Sequence, residues 1–147
     1  MTAPVVLEPG GGETAAVGAL SFSIKAGAGQ TQGAYSLVEA DGPSFATPHV
    51  HHDREEAFFV VDGTVTFLVD DTRMNAQPGA FLLVPRETLH GFRSNGDARL
   101  VIIHSPAGFE RFFRESAAAL ERGDFDLDFR NRIAGELGVT YFDDITI

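Results

Sequence analysis

A chain of 147 residues, 44% apolar and 22% charged, has the size and composition of one globular domain, able to bury about 70% of the surface its unfolded form exposes. Its formal net charge of −10, with 11 Lys and Arg scattered singly, argues against nucleic acid and mildly favours a cationic ligand such as a metal ion. The absence of cysteine excludes disulfides and thiolate chemistry. There is also no membrane-length apolar run and no basic, apolar leader, so a cytoplasmic protein with a small-molecule ligand is expected.

In chain order, Val5–Glu13 reads as a short strand broken by a Pro-Gly-rich loop. Leu20–Ala26 alternates, with Leu20, Phe22 and Ile24 on one face, and predicts a half-buried strand. Gly27–Gly33 is too glycine-rich for regular structure and reads as a loop. Ala34–Ala40 is the next strand, and Asp41-Gly42-Pro43 reads as a turn. Beyond the histidine-rich stretch that follows, Thr64–Val69, Arg73–Ala76, Phe81–Val84, His90–Ser94 and Leu100–Ile103 are strand-like. They are separated by Asp70-Asp71, Pro78-Gly79, Pro85 and Asn95-Gly96-Asp97. Short strands with turns every 8–12 residues and no helix between them predict an all-β antiparallel sandwich or barrel. After Pro106 the pattern changes: Phe109, Phe112, Phe113, Ala117 and Leu120 recur at helical spacing up to Gly123. Phe129–Leu137 predicts a second helix capped by Gly138, and Val139–Ile147 an extended tail. The Ile133–Gly138 segment faintly suggests a DNA-binding helix, which its acidic surroundings disfavour.

The stretch Pro48–Gly63 carries the chemistry. His49 and His51 leave the same face of an extended strand. Glu56 heads the next extended run, sharing its side with Phe58 and Val60, and Asp62-Gly63 suits a hairpin turn. Two imidazoles and a carboxylate make half a shell for a divalent metal. His90, after a strand and a proline-fixed turn, is the candidate for the missing ligand. His52 points away from its neighbours and reads as a surface residue. His104 shares parity with Leu100 and Ile102 and reads as a core or rim histidine. No Tyr or Cys is expected near the ligand candidates to serve as an alternative catalytic acid.

At these residues the sequence resembles the cupin family. Gly42-x6-His49-x-His51-x4-Glu56-x6-Gly63 matches its first block and Gly79-x5-Pro85-x4-His90 its second. The chain departs from the pattern at Glu87, where a glycine is usual, and at Ser94, where an asparagine is usual. Neither position supplies a ligand. The resemblance implies a cupin-type jelly-roll β-barrel with C-terminal helices packed outside. One domain is expected, its barrel spanning 1–106 and its helices and tail 107–147. It also implies one divalent transition metal (Fe, Mn, Ni, Co, Cu or Zn) held by His49, His51, Glu56 and His90, with Glu56 preferred to Glu55 for its spacing to Gly63. Pairing through N-terminal strands implies a homodimer.

Strand parity nominates Phe58, Val60, Phe67, Phe81, Leu83 and Phe92 as pocket walls, and the 13 phenylalanines against no Trp favour an apolar or aromatic ligand. The segment Pro106–Phe113 and the helical tail resemble the quercetin-dioxygenase-like cupins. The expected function is therefore a metal-dependent dioxygenase of a small chelating enol, catechol or flavonol-like compound, with Glu56 as proton acceptor. The alternatives are a non-oxidative metal-dependent cyclase or isomerase, and a binding protein without turnover.

Overall fold

Two 16-residue strands form the spine of the molecule: β3 (Ser36–His51) and β8 (His90–Ser105), paired antiparallel from Ser36↔His104 to His49↔His90. The computed structural model describes residues 3–147. The remaining elements are β1 (Glu13–Val17), β2 (Leu20–Ala26), α1 (Ala28–Thr31), β4 (Glu55–Asp62), β5 (Val65–Val69), β6 (Thr72–Ala76), β7 (Phe81–Val84), α2 (Glu110–Arg122), α3 (Leu127–Glu136) and β9 (Val139–Tyr141). Every ladder is antiparallel. The path β1-β2-β3-β8-β4-β7 is supplemented by β5 beside β8 and β6, and by β9 beside β3. Along β8, residues 90–94 pair with β5 while residues 99–105 pair with β4, so one strand feeds two faces and the sheet curls on itself.

The bends occur where turns were expected. Asp41–Pro43 and Asn95–Asp97 lie inside continuous strands, opposite one another, with register shifts at Pro43/Phe45. Gly42 takes φ +118°, and a Cβ there would sit 2.8 Å from the Ala19 carbonyl oxygen. A glycine in this conformation kinks the strand without ending its pairing, and the irregularity that replaces the turn follows between Pro43 and Phe45. Three further expectations change. The stretch Val5–Gly12 is unpaired and the first strand starts at Glu13. One helical turn, α1, forms inside the glycine-rich loop. The tail is not free, because β9 pairs with β3.

Apolar alternation explains the interior. Phe58, Phe67 and Phe92 meet with ring centroids 5.1–5.8 Å apart, enclosed by Val38, Val60, Val65, Val84 and Leu100. Each such aromatic pair adds about 0.5–1.5 kcal/mol beyond area burial. The helices extend this core. Phe109 and Phe113 precede and open α2, Ile133 and Ala134 face inward from α3, and Val139 follows in β9. Phe113 packs on Phe22 at 4.6 Å. Gly123 caps α2 in the left-handed region, and Asp126 caps α3 by accepting from the Phe129 amide. Among the described residues, no helix is long and apolar enough to cross a membrane.

Candidate metal centre

Alternation near the end of β3 turns His49 and His51 to one side, where both are buried. The chain bends through His52–Arg54 and returns as β4, whose second residue, Glu56, is buried while Glu55 is exposed. The bend is pinned from the C-terminal segment: the His52 amide donates to the Gly138 carbonyl at 2.9 Å and Arg54 Nη2 to the Leu137 carbonyl at 3.3 Å. His90, the first residue of β8, lies opposite His49.

All three imidazoles aim Nε2 at one carboxylate oxygen. Glu56 Oε2 is 2.6 Å from His90, 3.0 Å from His51 and 3.6 Å from His49. A metal bonded at about 2.1 Å to two donors roughly 90° apart holds those donors about 3 Å from each other, so these separations suit a shared coordination sphere. The tautomers suit it as well. His49 Nδ1 donates to the Thr47 carbonyl at 2.7 Å and His90 Nδ1 to the Thr88 carbonyl at 2.9 Å, which leaves each Nε2 as a lone-pair donor. The buried His51 ring has no hydrogen-bond partner among the described residues at either nitrogen. Burial lowers the pKa of His49 and His51 and keeps them neutral. Burial opposes charge on Glu56 too, but the imidazoles around it outweigh that cost and hold its pKa well below the usual carboxylate range. For His90 burial is likewise opposed, here by the Glu56 hydrogen bond, and the net shift is upward. Neutral His49 and His51 beside an ionised Glu56 are the protonation states a divalent transition metal requires, and His90 would give up its proton as the ion binds. The His49–His51–Glu56–His90 group can hold such an ion.

His104 adds a fifth buried side chain. It is fully buried in β8, directly across from Glu56, with Nε2 3.1 Å from Glu56 Oε1. It is thus a core histidine and not a rim one, with Glu56 as its polar neighbour. His52 is exposed, as its parity implies, and bridges Glu87 Oε2 and Thr140 Oγ1 at 2.9 Å each. Glu87 replaces the usual glycine at φ +64°, with its amide donating to the His51 carbonyl at 2.9 Å.

A cavity of about 830 Å³ opens on His49 and Glu56. Of the six residues nominated as walls, Phe92 lines it. Phe58, Val60 and Phe67 fill the barrel and, with Phe81, border a separate cleft of about 140 Å³. Phe81 and Leu83 point outward, 65% and 50% exposed. Pairing of Glu56 with Val84 and Phe58 with Leu82 gives the inward face of β7 to the even-numbered residues, one step from the expected parity.

The C-terminal segment supplies about a third of the wall, including Phe109, Phe112, Phe113 and Phe125. Tyr141, far from the ligands in sequence, pairs with His49 through β9 and holds its ring 5.3 Å from that imidazole. The expectation that no tyrosine lies near the ligands is thereby corrected. The Tyr141 hydroxyl makes no hydrogen bond to the described residues, and burial raises its pKa, so it stays protonated. Arg130 lies 4.2 Å over the Tyr141 ring and grips Asp143 with two hydrogen bonds of 2.7 and 2.9 Å. The helical spacing of the phenylalanines marked a buried face without showing that it borders a cavity. For Tyr141 there was no local signal.

The cupin-domain family model matches residues 37–105. The chain is 32% identical over 114 residues to a quercetin 2,3-dioxygenase of Bacillus subtilis (strain 168), an alignment covering 76% of this chain and 34% of that protein. The chain thus spans about a third of this curated relative. Among solved structures, KdgF from Halomonas sp. superposes with a TM-score of 0.64 at 18% identity, covering 75% of this chain and 99% of KdgF. Pac13, a nucleoside dehydratase from Streptomyces, gives 0.59 at 15% identity, covering 74% and 88%. An RmlC-like cupin from Shewanella frigidimarina gives 0.55 at 18% identity, covering 68% and 88%. The two histidine blocks, the curled antiparallel sheet and these matches lead to one conclusion: the chain belongs to the cupin superfamily.

Proposed function

We propose that the chain is a metal-dependent dioxygenase acting on a small, flat compound that chelates through enol, catechol or flavonol-like oxygens. The observation that carries this reading is the opening of the ligand group, through His49 and Glu56, into a large cavity with several phenylalanines in its wall. The curated quercetin 2,3-dioxygenase relative supports it. His49, His51, Glu56 and His90 would hold the ion. When bound, a divalent transition metal supplies a Lewis acid for the substrate oxygens and a redox partner for dioxygen. The protein's own groups do the rest. The Phe109, Phe112 and Phe113 rings clamp an aromatic substrate and exclude water. The protonated Tyr141 hydroxyl donates to a substrate oxygen beside His49. Glu56, ionised at rest, accepts the proton that leaves the substrate on chelation.

The test is oxygen uptake by protein loaded with each candidate metal, across a panel of chelating enols. Uptake with at least one pair, and loss of turnover in Glu56→Gln with much of the metal retained, is the expected result. Full activity in Glu56→Gln would remove Glu56 from the mechanism. A second reading, a non-oxidative cyclase or isomerase, rests on Tyr141, since a protonated phenol next to the ligand group is an acid such chemistry can use. Turnover with Zn(II) that is indifferent to oxygen would favour it. Pairing of two copies through the N-terminal region, where Val5 and Val6 are 50% and 88% exposed, belongs to the same proposal.

A further inference from the structure

We propose that His104 is a positioning residue for the metal centre: it holds Oε1 of Glu56, so that Oε2 alone faces the His49, His51 and His90 imidazoles. The two carboxylate oxygens are already divided in this way, with Oε1 3.1 Å from His104 Nε2 and Oε2 2.6–3.6 Å from the other three Nε2 atoms. His104 occupies a fully buried strand position whose inward neighbours are Leu100 and Ile102. Neither of its nitrogens makes a well-aligned hydrogen bond among the described residues, so Glu56 Oε1, 3.1 Å from Nε2, is the polar group left to offset its burial. The ring cannot swing away. Phe109 lies 4.6 Å from it on one side and His51 5.2 Å on another, and the Glu56↔His104 pairing fixes the distance between the two backbones. With Nε2 held 3.1 Å from Oε1, that oxygen is kept toward His104 and Oε2 is the one left to an ion.

This inference rests on the metal reading of the site and makes no use of turnover. Wild type, His104→Leu and His104→Gln would be loaded with Co(II) and Cu(II). Affinity is read by chelator competition, coordination by the Co(II) optical and Cu(II) EPR spectra, and stability by Tm with and without metal. In His104→Leu, Co(II) binding weakens by about 10–100-fold, the spectra change, and the metal-induced rise in Tm shrinks while the metal-free Tm is maintained. His104→Gln, which keeps an N–H at similar reach, restores most of the affinity and the wild-type spectra. Wild-type affinity and spectra in His104→Leu would overturn the proposal. So would loss of one nitrogen's coupling from the Cu(II) spectrum in both variants, which would make His104 itself a ligand. A metal-free Tm that falls in His104→Leu with the metal increment intact would reduce it to a packing residue. Failure of wild type to bind either ion would instead overturn the metal reading.

Discussion

At the scale of single residues, function in this site depends on which atom of each side chain is free. The Thr47 and Thr88 carbonyls take Nδ1 of His49 and His90, which leaves the Nε2 atoms pointing at Glu56. Tyr141 is free in a complementary sense, since it lines the cavity and its hydroxyl makes no hydrogen bond among the described residues. Under the proposed function, Tyr141→Phe removes one hydrogen bond to substrate, worth about 0.5–1.5 kcal/mol or roughly 2–10-fold. It should raise KM by that factor and leave metal content unchanged. Steady-state kinetics beside metal analysis would check this, and an unchanged KM would free Tyr141 of any role toward substrate. The contrast between the glutamates was legible in sequence, because spacing to Gly63 and parity with Phe58 both favoured Glu56 over Glu55, and Glu56 is the buried one. The place of His104 was not legible. Parity put it inside, but only the β4–β8 register puts it opposite Glu56.

Elements bring these residues together by being joined at their ends. Glu110, the first residue of α2, is the clearest such joint. Its Oε1 accepts from the Ala28 amide and Oε2 from the Gly108 amide, both at 2.7 Å. Burial works against its charge, yet the backbone N–H groups outweigh burial and lower its pKa. A carboxylate with a depressed folded-state pKa contributes stability that is present above its unfolded value, near 4.5, and is lost as pH falls through the folded value. Glu110→Gln should therefore be less stable than wild type at pH 7, with the gap closing at more acid pH. Urea unfolding midpoints from pH 7 to pH 3 would measure it, and a gap that stays constant would contradict it. Phe113, buried against Phe22 and Phe109, ties the same helix to the barrel. Phe113→Ala should cost about 3–5 kcal/mol, seen as a lower Tm with α2 still helical by circular dichroism. Helix positions were readable from phenylalanine spacing and Gly123. The single turn of α1 was not, since glycine-rich composition argues against it and the bond from Ala28 to Glu110 comes from 82 residues away.

For the whole molecule, ligand binding and folding are one equilibrium. The proposed ligands come from β3, β4 and β8, and the unfolded chain does not gather them. An ion that binds only the folded form should therefore raise stability by about 2.7 kcal/mol at a free concentration 100 times Kd. Thermal scans with metal, and then with excess chelator, should show Tm rise and return. Absence of any shift across the candidate metals would count against the site. Light scattering on the intact protein addresses the proposed pairing of copies, which predicts a species of twice 15.8 kDa.

What the sequence determined by itself was local or carried by a spaced motif. The strands of alternating residues, the amphipathic α2 and the His49–His51–Glu56–His90 set depend on periodicity and on fixed intervals along the chain. The tertiary structure decided everything set by register between distant segments. A register shift between Pro43 and Phe45, opposite residues 94–96, turns expected loops into continuous strands, because pairing with a neighbour outweighs local turn preference. A one-residue difference in β7 parity moves Phe81 and Leu83 outside, because side chains alternate faces with a period of two. β9 returns to pair with β3 and sets Tyr141 beside His49, because the free edge of β3 presents backbone groups that the tail can satisfy.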